Sequence, residues 1–398
     1  MILRWIMATW VKVALWFRFR RISFVFHTPI ATNGPAIIAG NHQNGILDTM
    51  ILAARSPKGP YTLSRGSLFT IPAADRFLRS LRFLPVYRFR DGFGKMRRNA
   101  EMFHQFVEVL EKNGWLLIFP EGSHFRRFTL RPLQKGLARI TFAAQEAWGW
   151  RREIPILPVG LQYESHTAFG SRLLIQFGPP LSSLAYRDLH SRSAKEAERA
   201  LTAELFEAMK RLILLPPQEE GAYREALRRW EENRNRFRDL EEQFRADREL
   251  ISQIRVGPEQ GTHAMEDTLP GPDGRENGGR VGAAASDGGD RSESIPPTRR
   301  GTWRVWRKLA GYGLSLPGLL LHLPPLLGIL AWEKAFVKDW HLAPAVRFTV
   351  GMFLIPVWYV LALALWHRHT GSLISGLLFL APMPFFLWLW SRCWHWTR

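Results

Sequence analysis

The sequence predicts an α/β domain that is followed by charged helices and then by a C-terminal transmembrane helical region. Two observations predict this order. Between residues 30 and 185, short apolar runs alternate with segments of helical periodicity, which is typical of a sheet flanked by helices. After residue 301, three apolar stretches are each long enough to cross a bilayer, which takes about twenty residues of helix.

Charge and aromatic content limit the kinds of partner. The chain has 54 Lys and Arg against 35 Asp and Glu, a formal net charge of +19, which favours a polyanionic partner. The 17 Trp favour a lipid interface over nucleic acid, and we find no zinc-finger spacing or RNA-binding aromatic motif. Cys393 is the only cysteine, which excludes an intrachain disulfide and a cysteine metal cluster.

Residues 1–28 mix Trp and Arg and contain no acidic residue. We predict an interfacial or membrane-anchoring helix here, because basic and aromatic side chains together favour the lipid headgroup region. The alternative is an ordinary helix that docks on the following domain.

The α/β domain is predicted for residues 29–190. Its helices are expected from about Arg98 to Lys112 and from Leu137 to about Ala147, since apolar residues recur there at helical spacing. Its strands are expected at short apolar runs: Ala36–Gly40, Tyr61–Ser64, Leu84–Tyr87, Trp115–Phe119, Ile154–Leu161 and Leu173–Phe177.

One turn between a predicted strand and a predicted helix carries a candidate catalytic pair. It reads Asn-His-Gln-Asn-Gly-Ile-Leu-Asp, from Asn41 to Asp48. His42 can accept a proton near neutral pH, and Asp48 can hold the other ring nitrogen. Six residues of regular helix would turn the two side chains well apart, so they meet only if the segment is largely a turn. The alternative is a surface loop with an incidental His and a capping Asp.

Three further clusters follow predicted strands. Arg88 emerges after the first, and Phe119-Pro120-Glu121-Gly122-Ser123-His124 follows the second. Pro158 interrupts the third, Ile156–Gly160, which predicts an edge strand or a bulge. Arg126 and Lys135 add positive charge after Glu121, either as a solvated face or as phosphate ligands.

Beyond the α/β domain we predict a charged helical extension at 191–255 and a disordered linker at 256–300. The extension has an apolar stripe on its first helix and a second, solvated helix from Tyr223 to about Ile254. The linker is rich in Gly, Pro, Asp, Ser and Glu.

Residues 301–398 are predicted to hold about three transmembrane helices: Tyr312–Ala331, Phe348–Trp366 and Ser372–Trp390. Pro382 and Pro384 are expected to kink the third. The basic residues before the first span favour a cytoplasmic position for its N-terminal side. The alternative is a set of buried helices in a soluble domain.

The order and spacing of four blocks resemble the glycerolipid acyltransferase superfamily, which includes lysophosphatidate and glycerol-3-phosphate acyltransferases. The blocks are Asn41-His42 to Asp48, Leu84 to Arg88, Phe119-Pro120-Glu121-Gly122 and Leu157-Pro158-Val159. The resemblance covers about residues 30–180. Five residues separate His42 from Asp48, where most members have four, which is similar to the yeast-type glycerol-3-phosphate acyltransferases and leaves the acceptor open.

The resemblance implies a role for each matching residue. His42 would be the general base that deprotonates an acceptor hydroxyl, with Asp48 as its orienting carboxylate. The acyl donor would be acyl-CoA or acyl carrier protein, and no metal or organic cofactor would be needed. Arg88 would hold the phosphate of the acceptor, and Glu121 would bind the glycerol or fix the loop itself. The full set of substrate-binding candidates is Asn41, Arg88, Glu121, Gly122, Ser123, Arg126 and Lys135.

The sequence therefore predicts a multi-pass membrane acyltransferase of phospholipid biosynthesis whose catalytic domain faces the cytoplasm. Its partners would be an acyl thioester, a glycerol phosphate or lysophospholipid acceptor and the bilayer, with no nucleic acid. Two alternatives stay open: a CoA-independent remodelling transacylase, and a non-enzymatic membrane scaffold. The oligomeric state stays open as well.

Overall fold

The computed structural model describes residues 2–86, 96–234, 236–254, 299–336 and 343–395. Within them, an eight-stranded mixed sheet has the order β1-β7-β6-β2-β5-β3-β4, with β8 also pairing with β6. The strands are β1 (Phe19–Phe26), β2 (Ala36–Gly40), β3 (Tyr61–Arg65), β4 (Phe83–Val86), β5 (Trp115–Ile118), β6 (Pro155–Tyr163), β7 (Ser171–Phe177) and β8 (Leu181–Ser182).

Helices cover both faces of this sheet and continue beyond it, which confirms the predicted fold class. They are α1 (Ile2–Arg18), α2 (Ile46–Arg55), α3 (Pro72–Ser80), α4 (Met96–Glu111), α5 (Gly136–Ala147), α6 (Arg187–Arg192), α7 (Ala194–Lys210), α8 (Glu220–Glu232), α9 (Leu240–Ser252), α10 (Arg299–Phe336), α11 (Ala343–Thr370), α12 (Leu373–Leu380) and α13 (Met383–His395).

The central strands are apolar throughout because they are covered on both faces. In β2, Ala36 and Ile38 join a core with α1, α2, α8 and α9. The intervening Ile37 and Ala39 join a second core with α4, α5 and α7. All five residues of β2 are buried. A strand that is buried on both faces does not alternate apolar with polar residues. This is why a short apolar run in the sequence was enough to predict β2.

Strand direction determines where the functional loops lie. β2 runs parallel to both of its neighbours, β5 and β6. The carboxyl ends of these three strands therefore share one edge of the sheet, the usual position of a site in an open α/β fold. The loops after Gly40, Ile118 and Tyr163 all begin at this edge.

The structure corrects three sequence predictions in the first 255 residues. Residues 19–26 are not part of an interfacial helix but form β1, which pairs in parallel with β7. β6 is an interior strand despite Pro158. This proline lies in the gap between the pairing of β8 and that of β7, and its carbonyl accepts the Gly178 N–H. The predicted second helix of the extension is two helices, α8 and α9, which bury Trp230 and Phe244 in the core.

The C-terminal region contains fewer candidate membrane spans than predicted. Two segments are long and apolar enough to cross a membrane, Leu316–Ala335 and Val346–Thr370. The third predicted span, Ser372–Trp390, is not one helix. It breaks after Leu380 into α12 and α13, and Pro384 occupies the first turn of α13, where a proline is tolerated. The predicted linker at 256–300 lies almost entirely outside the described residues.

Helix α1 joins the α/β domain to these C-terminal helices. Its inner side chains, Val11 and Leu15, are buried with α2. On another side, the Trp10 indole donates to the Met352 carbonyl of α11 at 3.0 Å, and Trp16 stacks on Trp388 with ring centroids 5.8 Å apart. Trp5 remains 71% exposed, so part of the aromatic face of α1 is uncovered in the described chain.

Candidate active site

The turn between β2 and α2 brings His42 and Asp48 into contact. The Nδ1 atom of His42 lies 3.0 Å from Oδ2 of Asp48. Helix α2 begins only at Ile46, so most of the segment between the two residues is a turn, as their contact required. Gly45 has φ 56° and ψ −125°, a conformation that is essentially restricted to glycine. The five-residue spacing therefore closes through the backbone of Gly45.

The Asp48 carboxylate is fully buried and receives three hydrogen bonds. Besides the His42 ring, the Asn44 N–H donates to Oδ2 at 2.7 Å, and the Tyr163 hydroxyl donates to Oδ1 at 2.5 Å. A buried charge is stable only when donors compensate for its lost hydration. Sequence reasoning missed Tyr163, because the contact joins residues 115 positions apart and nothing local indicates it.

The His42 ring packs against an aromatic side chain and is partly exposed to solvent. Its plane stacks on the Phe119 ring with centroids 4.1 Å apart and an angle of 19°. The His124 ring lies edge-on at 5.9 Å. The side chain is 16% exposed, whereas that of Asp48 is not exposed at all. With Asp48 at Nδ1, the opposite nitrogen, Nε2, is the one that can receive a proton from a substrate.

Glu121 holds the backbone around His42. Its Oε1 accepts the His42 N–H at 2.6 Å, and its Oε2 accepts the Arg131 N–H at 3.1 Å. Burial raises the pKa of Glu121, and these N–H donors act in the opposite direction. Of the two predicted roles for Glu121, these contacts fit the fixing of the loop and leave no carboxylate oxygen free of a backbone donor.

The loop after β5 completes this clamp. The Phe125 N–H donates to the His42 carbonyl at 3.0 Å, so both backbone groups of His42 are bound by this loop. Gly122 has φ 72°, which places it in the left-handed region, and its N–H donates to the Phe119 carbonyl. Ser123 accepts a hydrogen bond at its hydroxyl from the Arg131 guanidinium.

Asn41, predicted to bind substrate, is buried, and its side chain is hydrogen-bonded to β6. Its Oδ1 accepts the Leu161 N–H at 2.7 Å and its Nδ2 donates to the Leu161 carbonyl at 3.2 Å. The amide side chain therefore extends the pairing of β2 with β6 by one step. These contacts fit a role of Asn41 in positioning the turn that follows it, and a contact with substrate stays a prediction.

The predicted cations are only partly placed. Arg88 lies outside the described residues. Arg126 and Lys135 are half-buried and both follow β5, and Lys135 directly precedes the first turn of α5. Arg131, which the sequence reasoning did not single out, is exposed and lies in the same segment. Arg127, by contrast, is bound to the Gln218 carbonyl and to Glu220.

His166 is hydrogen-bonded to two residues of the turn. Its Nε2 lies 3.0 Å from Oε1 of Gln43, and its carbonyl accepts from the Asn44 side chain at 3.1 Å. Burial lowers the pKa of His166 to about 3, and the nearby Arg126 charge adds to this shift. His166 is therefore neutral at physiological pH and acts as a structural hydrogen-bonding group.

Metal ligation has no obvious place among these groups. Within the part of the chain that the structure describes, no three His, Cys, Asp or Glu side chains come together as a metal site would require. The absence of any cofactor from the reaction stays a prediction.

Comparisons with known proteins match the part of the chain that carries this turn. The sequence model of the Acyltransferase family matches residues 21–162. Glycerol-3-phosphate O-acyltransferase 2 of Saccharomyces cerevisiae is 26% identical over 199 residues, 45% of this chain and 27% of that protein. A Caenorhabditis elegans protein assigned as a 1-acyl-sn-glycerol-3-phosphate acyltransferase is 29% identical over 126 residues, 32% of this chain and 40% of that protein.

A solved structure was also found. The 1-acyl-sn-glycerophosphate acyltransferase of Thermotoga maritima aligns at a TM-score of 0.36 and 15% identity, covering 52% of this chain and 78% of that chain. The chain spans well under half the length of the two sequence relatives. The family match encloses β2, β5, the turn with His42 and Asp48, and β6 up to Gln162. Residues 21–162 thus form an acyltransferase domain, which is similar to glycerol-3-phosphate and 1-acylglycerol-3-phosphate acyltransferases.

Proposed function

We propose that the protein is a membrane-bound O-acyltransferase of phospholipid biosynthesis. It transfers a fatty acyl group from acyl-CoA or acyl carrier protein to a hydroxyl of a glycerol phosphate or a lysophospholipid. The observation that carries the proposal is the contact of His42 with the buried Asp48, at the sheet edge where the loops after β2 and β5 meet. The pair has the geometry of a general base whose orientation is fixed.

The reaction needs no nucleophile from the protein. Nε2 of His42 takes the proton of the acceptor hydroxyl as its oxygen attacks the thioester carbonyl carbon. The negative charge of Asp48 stabilises the imidazolium that forms. The tetrahedral intermediate then expels the thiolate, which receives the proton back from His42. Acid–base help of this kind contributes about 10²- to 10⁴-fold to the rate.

Cations at this edge support a phosphorylated acceptor. Arg126, Arg131 and Lys135 follow β5 in the same loop region that clamps His42. Arg88 follows β4 in the sequence and is the phosphate ligand that the family resemblance implies. The names of the sequence relatives include both glycerol-3-phosphate and 1-acyl-glycerol-3-phosphate as acceptors. We therefore propose both as acceptors of this protein. Its net charge of +19 would attract either of these anionic molecules.

The bilayer is the proposed location. The segments Leu316–Ala335 and Val346–Thr370 are suited to cross it. The exposed Trp5 and Ile2 on α1 are suited to its interface. Arg and Lys residues within 299–308 precede the first of these segments, which favours a catalytic domain on the cytoplasmic side. An acyl chain in substrate or product can then stay in lipid while its headgroup reaches His42.

An acceptor panel tests this function. Membranes containing the full chain are given labelled acyl-CoA or acyl carrier protein with glycerol-3-phosphate, dihydroxyacetone phosphate, lysophosphatidate or other lysolipids. We expect acylation of at least one phosphate-bearing acceptor, dependent on the thioester. Transfer that proceeds from a phospholipid without any thioester would establish the remodelling transacylase instead. Absence of acylation with every donor and acceptor would leave only the scaffold.

A further inference from the structure

Asp48 and the described groups that bind its carboxylate, namely His42, Asn44 and Tyr163, are here called the Asp48 cluster, and Tyr163 is its member from β6. It is the last residue of that strand and pairs with Leu173 of β7. The side chain is fully buried, and its ring packs against Phe19 at 6.1 Å and His166 at 5.4 Å between centroids. Because the sheet and these rings fix the phenol, its hydroxyl has a defined position relative to α2.

That hydroxyl occupies one side of the Asp48 carboxylate. It donates to Oδ1 at 2.5 Å, whereas the His42 ring and the Asn44 N–H both bind Oδ2. A carboxylate held only at Oδ2 can still rotate about its Cβ–Cγ bond. With a donor on each oxygen, the plane of the carboxylate is fixed with respect to the His42 ring.

The phenol also keeps its proton. Burial, followed by the negative charge of Asp48, raises the pKa of Tyr163 well above its usual value, and the Arg18 charge opposes this shift. Tyr163 is therefore a hydrogen-bond donor throughout the pH range in which an enzyme works.

We propose that Tyr163 is a positioning residue for acyl transfer: it fixes the Asp48 carboxylate for His42 and withdraws part of its negative charge. It acts through Asp48 and contacts neither acceptor nor thioester. The proposal rests on the proposed function. Because a carboxylate that shares its charge with a phenol holds an imidazolium less tightly, Tyr163 also extends the activity of His42 as a base toward lower pH.

Among the residues that the structure describes, five other titratable groups surround this cluster. Arg18 acts on the Tyr163 phenol, and His166 packs on its ring. Glu121 binds the His42 backbone, His124 faces the His42 ring, and Arg126 acts on His166. A change confined to the Tyr163 hydroxyl leaves all five in place, so a shift in the pH profile is attributable to the bond with Asp48.

The test is Tyr163→Phe in the membrane-inserted full chain. We expect kcat on its pH plateau to fall roughly 10-fold, since the Asp48 carboxylate is then free to rotate and orients the His42 ring less well, with the acceptor KM within about twofold. The acidic limb of the pH profile should move up by about half a pH unit. The matched control is Tyr186→Phe, which removes a hydroxyl that donates to Glu204 elsewhere in the domain. It should change neither the limb nor the plateau.

Two further measurements separate positioning from mere stability. In an Asp48→Ala background, Tyr163→Phe should have no further effect on kcat, since residue 48 then has no side-chain oxygen for the phenol to hold. Fluorotyrosine at position 163, a stronger donor of the same shape, should move the acidic limb to lower pH, and this variant stays available if Tyr163→Phe does not fold. A limb that moves in neither variant, or a full effect of Tyr163→Phe without Asp48, would overturn the proposal.

A failure of the proposed function remains distinguishable. If the wild-type chain acylates no acceptor, the function is wrong but the inference is still measurable on ¹⁵N-labelled His42. The pH at which its ring signals change should rise in Tyr163→Phe and stay constant in Tyr186→Phe. Identical signals in all three proteins would refute the inference by itself.

Discussion

Replacing Asp48 by Asn removes one charge from the site and keeps its shape. Oδ2 of Asp48 receives two N–H donors, from His42 at 3.0 Å and from Asn44 at 2.7 Å. The amide oxygen of Asn therefore takes this position, because its NH₂ group would face two donors there. The NH₂ group then lies at the Oδ1 position, where the Tyr163 hydroxyl can rotate to accept it. The His42 ring keeps its orientation, and the imidazolium loses its counter-charge.

The size of the effect follows from the distance. A contact of 3.0 Å between Nδ1 and Oδ2 places the two centres of charge about 4 Å apart, which is worth about 4 kcal/mol at an effective dielectric constant of about 20. The imidazolium exists in the transition state and not in the resting enzyme, so this energy appears in kcat. We expect Asp48→Asn to lower kcat about 10³-fold. The acceptor KM should change little, since Asp48 is fully buried.

The assay follows thiol release from acyl-CoA at saturating acceptor, with the melting temperature measured in the same membranes or detergent. The matched control is Asp188→Asn, the same change at an exposed carboxylate in the first turn of α6. It should leave the rate unchanged. A folded Asp48→Asn protein that keeps more than about a tenth of the wild-type kcat would refute the charge-stabilisation reasoning.

Three other substitutions test two contacts of the catalytic turn and one buried carboxyl outside it. Glu121→Gln leaves one of two backbone N–H groups facing an NH₂ group, so it should cost about 1–3 kcal/mol of stability and lower kcat. An acceptor KM raised with kcat intact would instead make Glu121 a substrate ligand. Gly45→Ala forces alanine into φ 56°, ψ −125° and should cost about 1–3 kcal/mol and most of the activity, whereas Gly221→Ala, where an added Cβ meets nothing within 4 Å, should cost neither. Burial raises the pKa of Asp247 to about 6, so the folded protein binds this proton more tightly than the unfolded chain does. The protonated carboxyl therefore adds to the free energy of unfolding below about pH 4, and this contribution is lost as the pH rises through 6. Relative to Asp247→Asn, the wild type should lose up to about 3 kcal/mol between pH 4 and 7, and a pH-independent difference in melting temperature would contradict this.

The sheet was largely predictable because its central strands are apolar on both faces. The runs predicted at Ala36–Gly40 and Trp115–Phe119 coincide with β2 and β5 to within one residue. β1 was not predicted, because Arg20 and Arg21 continue the basic and aromatic pattern of α1 and obscure a strand that exists through its pairing with β7. The break between α12 and α13 was expected only as a kink, since composition does not show where a proline-containing helix stops.

The site was predictable in its local part and not in its long-range part. His42 and Asp48 are only six positions apart, so a short stretch of sequence was enough to suggest their contact. Tyr163 reaches Asp48 only because β6 lies beside β2, and a strand order of this kind is not visible in a single sequence. The hydrogen bonds of Asn41 were not predictable for the same reason, because its partner Leu161 is also on β6.

The most direct measurement is the rate of acyl transfer to the best acceptor by His42→Ala, compared with His104→Ala in the same membranes. His104 is an exposed histidine on α4, so its replacement controls for the loss of an imidazole as such. We predict that His104→Ala retains the wild-type rate and that His42→Ala, folded and membrane-inserted, loses at least about 10²-fold in kcat. Equal rates for the two variants would contradict a role for His42 as the base that activates the acceptor hydroxyl.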